Sequence, residues 1–95
     1  MIDLEDKYIV FIKEIISKYL IDYELYLYGS RAKGLARKYS DVDLAISSPM
    51  LTQEIKSKIE FDLENSTFPY KIDLADLNNI TEQFKKLIES SLVKL

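Results

Sequence analysis

Apolar residues recur along this chain with two different periods that alternate, and this alternation restricts the fold more than any other feature. In segments 4–20 and 51–63 the apolar residues are three or four positions apart, which is typical of amphipathic helices. In segments 41–47 and 70–75 they alternate with polar or small residues, which is typical of strands. The sequence therefore predicts an α/β fold in which helices and strands follow one another.

Three further elements complete this pattern. Segment 23–28 is rich in tyrosine and leucine and ends at a glycine, so it predicts a strand that runs into a tight turn. Residues 30–37 follow as a short helix, with Ser30 available as its cap. Apolar spacing near the C-terminus predicts a last helix, for which Asn79 and Glu82 are spaced like a capping pair. The expected architecture is a sheet of about three strands covered by helices.

Two residue types are missing, and their absence excludes several kinds of site. The 95 residues contain no cysteine and no histidine. A structural zinc site, a thiol nucleophile, a Ser-His-Asp triad and disulfide bonds are therefore excluded. Any metal must be a hard ion that is held by oxygen ligands. A chain of this length is expected to form a single domain over residues 1–95.

The distribution of charge argues against two classes of partner. The net charge is −3, whereas domains that grip a nucleic-acid backbone are usually basic, so direct nucleic-acid binding is not expected. Charged residues interrupt the first 20 positions and exclude a signal peptide or a membrane span there. We therefore expect a cytoplasmic protein without membrane contact. The interrupting residues are Asp3, Glu5, Asp6, Lys7, Lys13 and Glu14.

Acidic residues occupy strand positions where a half-buried strand would normally carry apolar or neutral side chains. Asp41 and Asp43 are two residues apart, so in a strand their carboxylates project from the same face, with backbones about 6–7 Å apart. Asp73 has the matching position in the next strand. Two such charges repel each other, and a divalent cation relieves the repulsion. Mg²⁺ suits these ligands, although an isolated Asp-x-Asp is also typical of a strand face exposed to water.

A turn upstream of these acids favours the metal interpretation. Gly29 and Ser30 stand where a strand becomes a helix, and such a turn presents backbone N–H groups and a hydroxyl to an anion. Basic residues crowd the positions that follow, and Arg31 is the best candidate for contact with a phosphate. A solvated basic face is the alternative interpretation of this cluster. Its members are Arg31, Lys33, Arg37 and Lys38.

The turn and the acids together resemble a known family. Gly29-Ser30, ten intervening residues and then Asp41-Val42-Asp43 resemble the signature of nucleotidyltransferases related to DNA polymerase β. The stretches 27–34 and 40–44 look like the minimal nucleotidyltransferase branch. The resemblance implies the nucleotidyltransferase-like α/β fold, a mixed sheet covered by helices. Asp73 matches the third acid of the family by position, with Asp76 as the alternative.

The resemblance also implies a role for each of these residues. Gly29 and Ser30, with Arg31 beside them, would hold the phosphates of ATP. Asp41 and Asp43 would bind Mg²⁺. Asp73 would bind a second Mg²⁺ ion and help to activate the acceptor hydroxyl. The implied reaction is an in-line displacement at the α-phosphorus that releases diphosphate.

The acceptor follows from the resemblance and from the small size of the chain. Minimal nucleotidyltransferases typically act as antitoxins beside a HEPN-domain RNase toxin. The resemblance implies that AMP is transferred from ATP to a tyrosine hydroxyl of that toxin. Two alternatives stay open at this point: a non-catalytic antitoxin that masks the toxin by binding, and a transferase that acts alone on a small molecule or nucleic acid.

Overall fold

The computed structural model describes residues 2–37 and 40–95, which form a four-stranded mixed sheet with helices on both faces. The alternating helices and strands that the sequence predicts are confirmed. In chain order the elements are α1 (Asp6–Ser17), β1 (Glu24–Tyr28), α2 (Gly29–Ala32), β2 (Val42–Ser47), α3 (Gln53–Glu64), β3 (Ile72–Asp76), α4 (Glu82–Ile88), a 3₁₀ turn (Glu89–Ser91) and β4 (Val93–Lys94).

The strands lie in the order β3-β2-β1-β4. β1 pairs antiparallel with β2 and with β4, whereas β2 and β3 are parallel. α3 provides the crossover that a parallel pair requires. The sequence predicted about three strands, and the fourth is β4, which contains only two residues. A segment that short has no alternation of its own and is recognisable only by its pairing with β1.

The larger core lies between one face of the sheet and helices α1 and α3. Alternate residues of the strands point into it, as the period-2 pattern predicts. Each fully buried side chain of this kind contributes about 1.5–3 kcal/mol relative to the exposed state. The largest of them are Ile12, Ile16, Leu20, Leu25, Leu27, Leu44, Ile46, Ile59 and Val42.

The opposite face of the sheet carries a smaller apolar cluster under α4. Tyr28, Ala45 and Ile88 are buried there, and Phe84 packs edge-on against Tyr28 with ring centroids 6.0 Å apart. This cluster covers only part of the face. Tyr28 also borders the polar residues Asp43 and Asp73, which lie on the same face of the sheet.

Several helix ends differ from the sequence predictions. α2 spans only Gly29–Ala32, and Ser30 lies inside it instead of capping it, because the helix begins one residue earlier. α4 is capped by Thr81, whose hydroxyl accepts a hydrogen bond from the Phe84 N–H at 3.1 Å, and not by the predicted pair Asn79 and Glu82. Threonine is a favoured N-cap residue, and the cap lies two positions after Asn79, so Glu82 is the first residue of the helix and not the third.

Within the described ranges, none of the helices has the length and apolar character needed to cross a membrane.

Candidate active site

Three polar side chains form a row across three neighbouring strands. Tyr28, the last residue of β1, lies directly opposite Asp43 of β2. Asp43 is in turn the register partner of Asp73 in β3. Residues that are directly opposite in paired strands project from the same face of the sheet. The sheet therefore brings together two of the predicted acids and a tyrosine.

Gly29 connects this row to the turn that follows β1. Its φ is +76°, a left-handed conformation that favours glycine. A Cβ atom on residue 29 would lie 2.5 Å from Oδ2 of Asp43, which is closer than real Cβ contacts. The missing side chain therefore lets the Asp43 carboxylate lie against the backbone of the turn.

Electrostatic interactions couple the members of the row. Burial raises the pKa of the Asp43 carboxyl above its usual range, the negative charges of Asp73 and Asp41 raise it further, and the positive charge of Arg31 opposes them. Burial, together with Asp73 and Asp43, raises the pKa of Tyr28 to about 12. The Tyr28 hydroxyl is therefore protonated at neutral pH, and it donates a hydrogen bond of 3.5 Å to Oδ2 of Asp73.

Asp41 lies one residue before the start of β2 and is exposed. The two-residue spacing places it beside Asp43, and its charge acts on that carboxyl. The sequence left open whether Asp73 or Asp76 is the third acid. In the structure Asp76 pairs with Ile46, on the face opposite Asp43, and its Oδ1 accepts a hydrogen bond from the Asn78 N–H at 3.0 Å. Asp73 is therefore the acid that lies beside Asp43.

The donor set of this row fits a hard divalent cation. In the described part of the chain, no three acidic side chains already converge as a complete metal cage. Mg²⁺, however, commonly takes only one or two protein carboxylates and completes its shell with water and phosphate oxygens. Asp43 and Asp73 lie side by side, and burial, followed by the negative charges of Asp73 and Asp41, raises the pKa of Asp43, so a cation would stabilise the ionised carboxylates. The residues present therefore fit Mg²⁺.

A serine from the C-terminal part of the chain reaches the glycine turn. The hydroxyl of Ser91 accepts a hydrogen bond from the Gly29 N–H at 3.5 Å and donates one to the Ile88 carbonyl at 3.1 Å. The sequence predicted Ser91 only as part of the C-terminal helix. No local pattern identifies Ser91, because the contact joins residues that are 62 positions apart.

Arg31 lies in a different environment from the one that the sequence predicted. Its side chain is buried, with 5% exposed. Nε and Nη2 donate to the Ser40 carbonyl at 3.1 and 2.8 Å, and Nη1 donates to the Asp3 carbonyl at 2.7 Å. The guanidinium carbon also lies 4.1 Å from the centre of the Tyr70 ring. These contacts favour a role in holding the backbone over direct contact with a phosphate.

The rest of the predicted basic cluster faces solvent where it is described. Lys33 and Arg37 are exposed, as in the alternative interpretation of a solvated basic face. Lys38 lies outside the described residues.

The comparisons with known proteins agree with one another. The sequence model of the nucleotidyltransferase domain family matches residues 9–95. The probable protein adenylyltransferase MntA of Haemophilus influenzae is 32% identical over 93 residues, which covers 97% of this chain and 82% of that protein.

Solved structures share the fold. A toxin–antitoxin complex with AMP-PNP has a TM-score of 0.76 at 19% identity, over 96% of this chain and 72% of that one. A mutant MntA–HpeT toxin–antitoxin complex has a TM-score of 0.74 at 16% identity, over 96% and 71% of the two chains.

Proposed function

Because the chain belongs to the nucleotidyltransferase domain family, we propose that it is a protein adenylyltransferase that transfers AMP from ATP to a partner toxin. The match to the family model and the relative MntA confirm the nucleotidyltransferase family and enzyme class that the sequence predicted. One observation carries the proposal: Asp43 and Asp73 lie side by side, and the Asp43 carboxylate lies against the glycine turn that would receive the phosphates.

The names of the relatives support the finer parts of the proposal. The Haemophilus influenzae relative is named a probable protein adenylyltransferase, and the solved structures are toxin–antitoxin complexes, one of them with the ATP analogue AMP-PNP. We propose on this basis that the nucleotide is ATP, that the chain acts as an antitoxin and that its partner is a HEPN-domain RNase toxin. The acceptor is a tyrosine hydroxyl of that toxin.

We propose that the glycine turn binds the phosphates of ATP and that the acidic residues bind the metal. The backbone of Gly29 and the hydroxyl of Ser30 hold the β- and γ-phosphates. Asp41, Asp43 and Asp73 would together bind two Mg²⁺ ions. Bound Mg²⁺ supplies positive charge that offsets the charge developing on the phosphate oxygens.

The transfer itself replaces one P–O bond by another. The acceptor tyrosine oxygen forms a bond to the α-phosphorus, and the bond from that phosphorus to the bridging oxygen of the leaving diphosphate breaks. Asp73 accepts the proton of the acceptor hydroxyl. The Tyr28 hydroxyl donates to Oδ2 of Asp73 and so fixes the orientation of this carboxylate.

Intact-mass spectrometry tests the proposal directly. The protein is incubated with ATP, Mg²⁺ and its cognate partner, and the partner is expected to gain the mass of an adenylate. Asp43→Asn is expected to abolish the gain, because it removes a metal-binding charge and leaves the volume of the side chain unchanged. The matched control is Asp76→Asn, which lies on the other face of the sheet and which retains an acceptor for the Asn78 N–H.

Two outcomes would favour the alternatives. If the partner binds and loses its toxicity but gains no adenylate mass, the chain is a non-catalytic antitoxin. If a small molecule or an RNA is modified in place of the partner, the chain is a transferase with another acceptor.

Two broader predictions from the sequence remain part of the proposal. The sheet and its helices constitute one catalytic domain over residues 1–95. Because the reaction consumes ATP, the proposed location is the cytoplasm.

A further inference from the structure

We propose that Arg31 is a positioning residue, which holds the peptide immediately before Asp41 and thereby places that carboxylate for nucleotidyl transfer. The inference rests on the proposed function and deepens it. It also replaces the direct phosphate contact that the sequence had predicted for this side chain.

Arg31 binds the backbone of Ser40 through its side chain. Two nitrogens of the guanidinium, Nε and Nη2, donate to the same carbonyl oxygen of Ser40, at 3.1 and 2.8 Å. This carbonyl belongs to the peptide that joins Ser40 to Asp41. On the other side of Asp41, the Val42 N–H donates to the Lys71 carbonyl at 2.8 Å. The backbone is therefore held on both sides of an aspartate whose own side chain is exposed.

Contacts with the N-terminal segment and with Tyr70 hold Arg31 in place. Its Nη1 donates to the Asp3 carbonyl at 2.7 Å, and the Asp3 N–H returns a hydrogen bond of 2.7 Å to the Arg31 carbonyl. The Asp3 carboxylate accepts a hydrogen bond from the Ala36 N–H at 3.0 Å. The face of the guanidinium lies on the Tyr70 ring. These contacts tie the segment before α1 to the loop between α2 and β2.

Arginine is suited to this place and lysine is not. A guanidinium is planar and presents several N–H donors in a fixed arrangement, so it can bind two carbonyls while it stacks on an aromatic ring. A lysine ammonium carries the same charge, but it is not planar and cannot donate to two carbonyls in this fixed arrangement. Arg31→Lys therefore separates the charge of this residue from its hydrogen-bonding geometry.

Kinetics of the wild-type protein and two variants, measured with the cognate partner, test the inference. Arg31→Lys is expected to lower kcat by about 10- to 100-fold, because a small misplacement of a catalytic group has an effect of this size. The KM for ATP is expected to stay within about two-fold, since positioning acts on the reacting geometry and not on phosphate binding. The control is Arg37→Lys at a neighbouring exposed arginine, which is expected to behave like the wild type.

Chemical rescue excludes a general loss of structure. A cavity of about 350 Å³ is lined by Arg31, Tyr70 and residues of the N-terminal segment, so a small guanidinium compound can reach the position of the removed head group. Ethylguanidinium at millimolar concentration is expected to restore part of the kcat of Arg31→Ala. It should have no effect on Arg37→Ala.

A rise in the KM for ATP with an unchanged kcat in Arg31→Lys would overturn the inference in favour of phosphate contact. Unchanged kinetics would also overturn it. If the wild-type protein transfers no adenylate, the proposed function fails and amide hydrogen exchange decides the inference by itself. Faster exchange over residues 40–43 in Arg31→Lys than in Arg37→Lys supports it, whereas equal exchange overturns it.

Discussion

The carboxylate of Asp43 occupies the space that a side chain on Gly29 would fill, since a Cβ there would lie 2.5 Å from Oδ2 of Asp43. Gly29 is also left-handed, with φ at +76°. Two separate constraints thus require glycine at this position. The first is the left-handed backbone of the turn, and the second is the position of the Asp43 carboxylate, which we propose as a metal ligand.

Gly29→Ala is expected to destabilise the fold and to abolish transfer. The left-handed backbone alone makes alanine unfavourable by about 1–2 kcal/mol. The new methyl group must also displace the Asp43 carboxylate from the turn. Urea denaturation measures the loss of stability, and adenylate mass on the partner measures the loss of transfer.

Gly34→Ala is the matched control for this variant. Gly34 has a similar φ of +72° but is exposed, so alanine there introduces the same backbone strain at a site remote from the Asp43 contact. Gly34→Ala is expected to lose stability and keep transfer. Equal transfer by the two variants would show that the contact between Gly29 and Asp43 has no part in the reaction.

Without metal, Asp43→Asn is expected to stabilise the protein at pH 7. An aspartate in an unfolded chain has a pKa of about 4, and burial and the neighbouring acids raise the pKa of Asp43 in the folded state. Between these two pKa values the folded state binds more protons than the unfolded state, so stability falls as the pH rises through this window.

The advantage of Asp43→Asn should therefore be present above the window and fade below pH 4, as the wild-type carboxyl becomes protonated in both states. Thermal melting at pH 3.5 and pH 7, in buffer with a chelator, measures this difference. A variant that melts below the wild type at pH 7 would mean that the carboxylate is stabilised in the folded state, contrary to the effect of burial and of the neighbouring acids.

Asp62→Asn is expected to destabilise the protein at pH 7, whereas Asp43→Asn is expected to stabilise it. The Tyr19 hydroxyl donates to Oδ2 of Asp62 at 2.5 Å, and Lys18 Nζ lies 2.9 Å from the same oxygen, so these contacts join α3 to the end of α1. The hydrogen bond from Tyr19, followed by that from Lys18, lowers the pKa of Asp62. A lowered pKa adds stability above the unfolded value of about 4, and this stability is lost as the pH falls through the folded value.

Asp62→Asn should therefore melt below the wild type at pH 7 and approach it at low pH. Its kcat at a temperature where both proteins are folded should be unchanged, because Asp62 belongs to α3, which packs on the face of the sheet opposite Asp43. The two aspartate variants, compared by the same melting experiment, distinguish a carboxylate that destabilises the fold from one that stabilises it.

The features of the fold that the sequence predicted correctly are local ones. The turn at Gly29 was recognised because a tight turn after a strand favours glycine, and β2 was recognised because apolar residues alternate with Asp43 and its neighbours. The roles of Gly29, Asp41 and Asp43 in a reaction stay predictions. The pairing of Asp73 with Asp43 depends on the parallel register of β2 and β3, which no local pattern records, and so Asp76 stayed open.

The features that the sequence missed depend on backbone atoms. Arg31 binds the carbonyls of Asp3 and Ser40, and any residue type offers a carbonyl. Because the Arg31 side chain is basic, it was predicted to contact a phosphate, although in the structure it binds backbone carbonyls. Ser91 was missed for the same reason, since it binds the N–H of Gly29.

Tyr28→Phe is expected to slow transfer while preserving the fold. The phenylalanine ring retains the edge-on packing against Phe84, whose ring centroid lies 6.0 Å away, and it loses only the hydroxyl that donates to Asp73. Because the pKa of Tyr28 is raised to about 12, the wild-type hydroxyl remains a donor throughout the range in which the enzyme can be measured. Without this donor the Asp73 carboxylate is less well oriented.

The expected loss of kcat is modest, about 3- to 10-fold, because one hydrogen bond contributes about 0.5–1.5 kcal/mol. The KM for ATP should be unchanged, since the hydroxyl contacts Asp73 and not the glycine turn that is proposed to hold the phosphates. The control is Tyr26→Phe on the same strand, where the lost hydroxyl donates to the exposed Glu24 and not to the site. Equal kcat values for the two variants would mean that the Tyr28 hydroxyl does not orient the acid during the reaction.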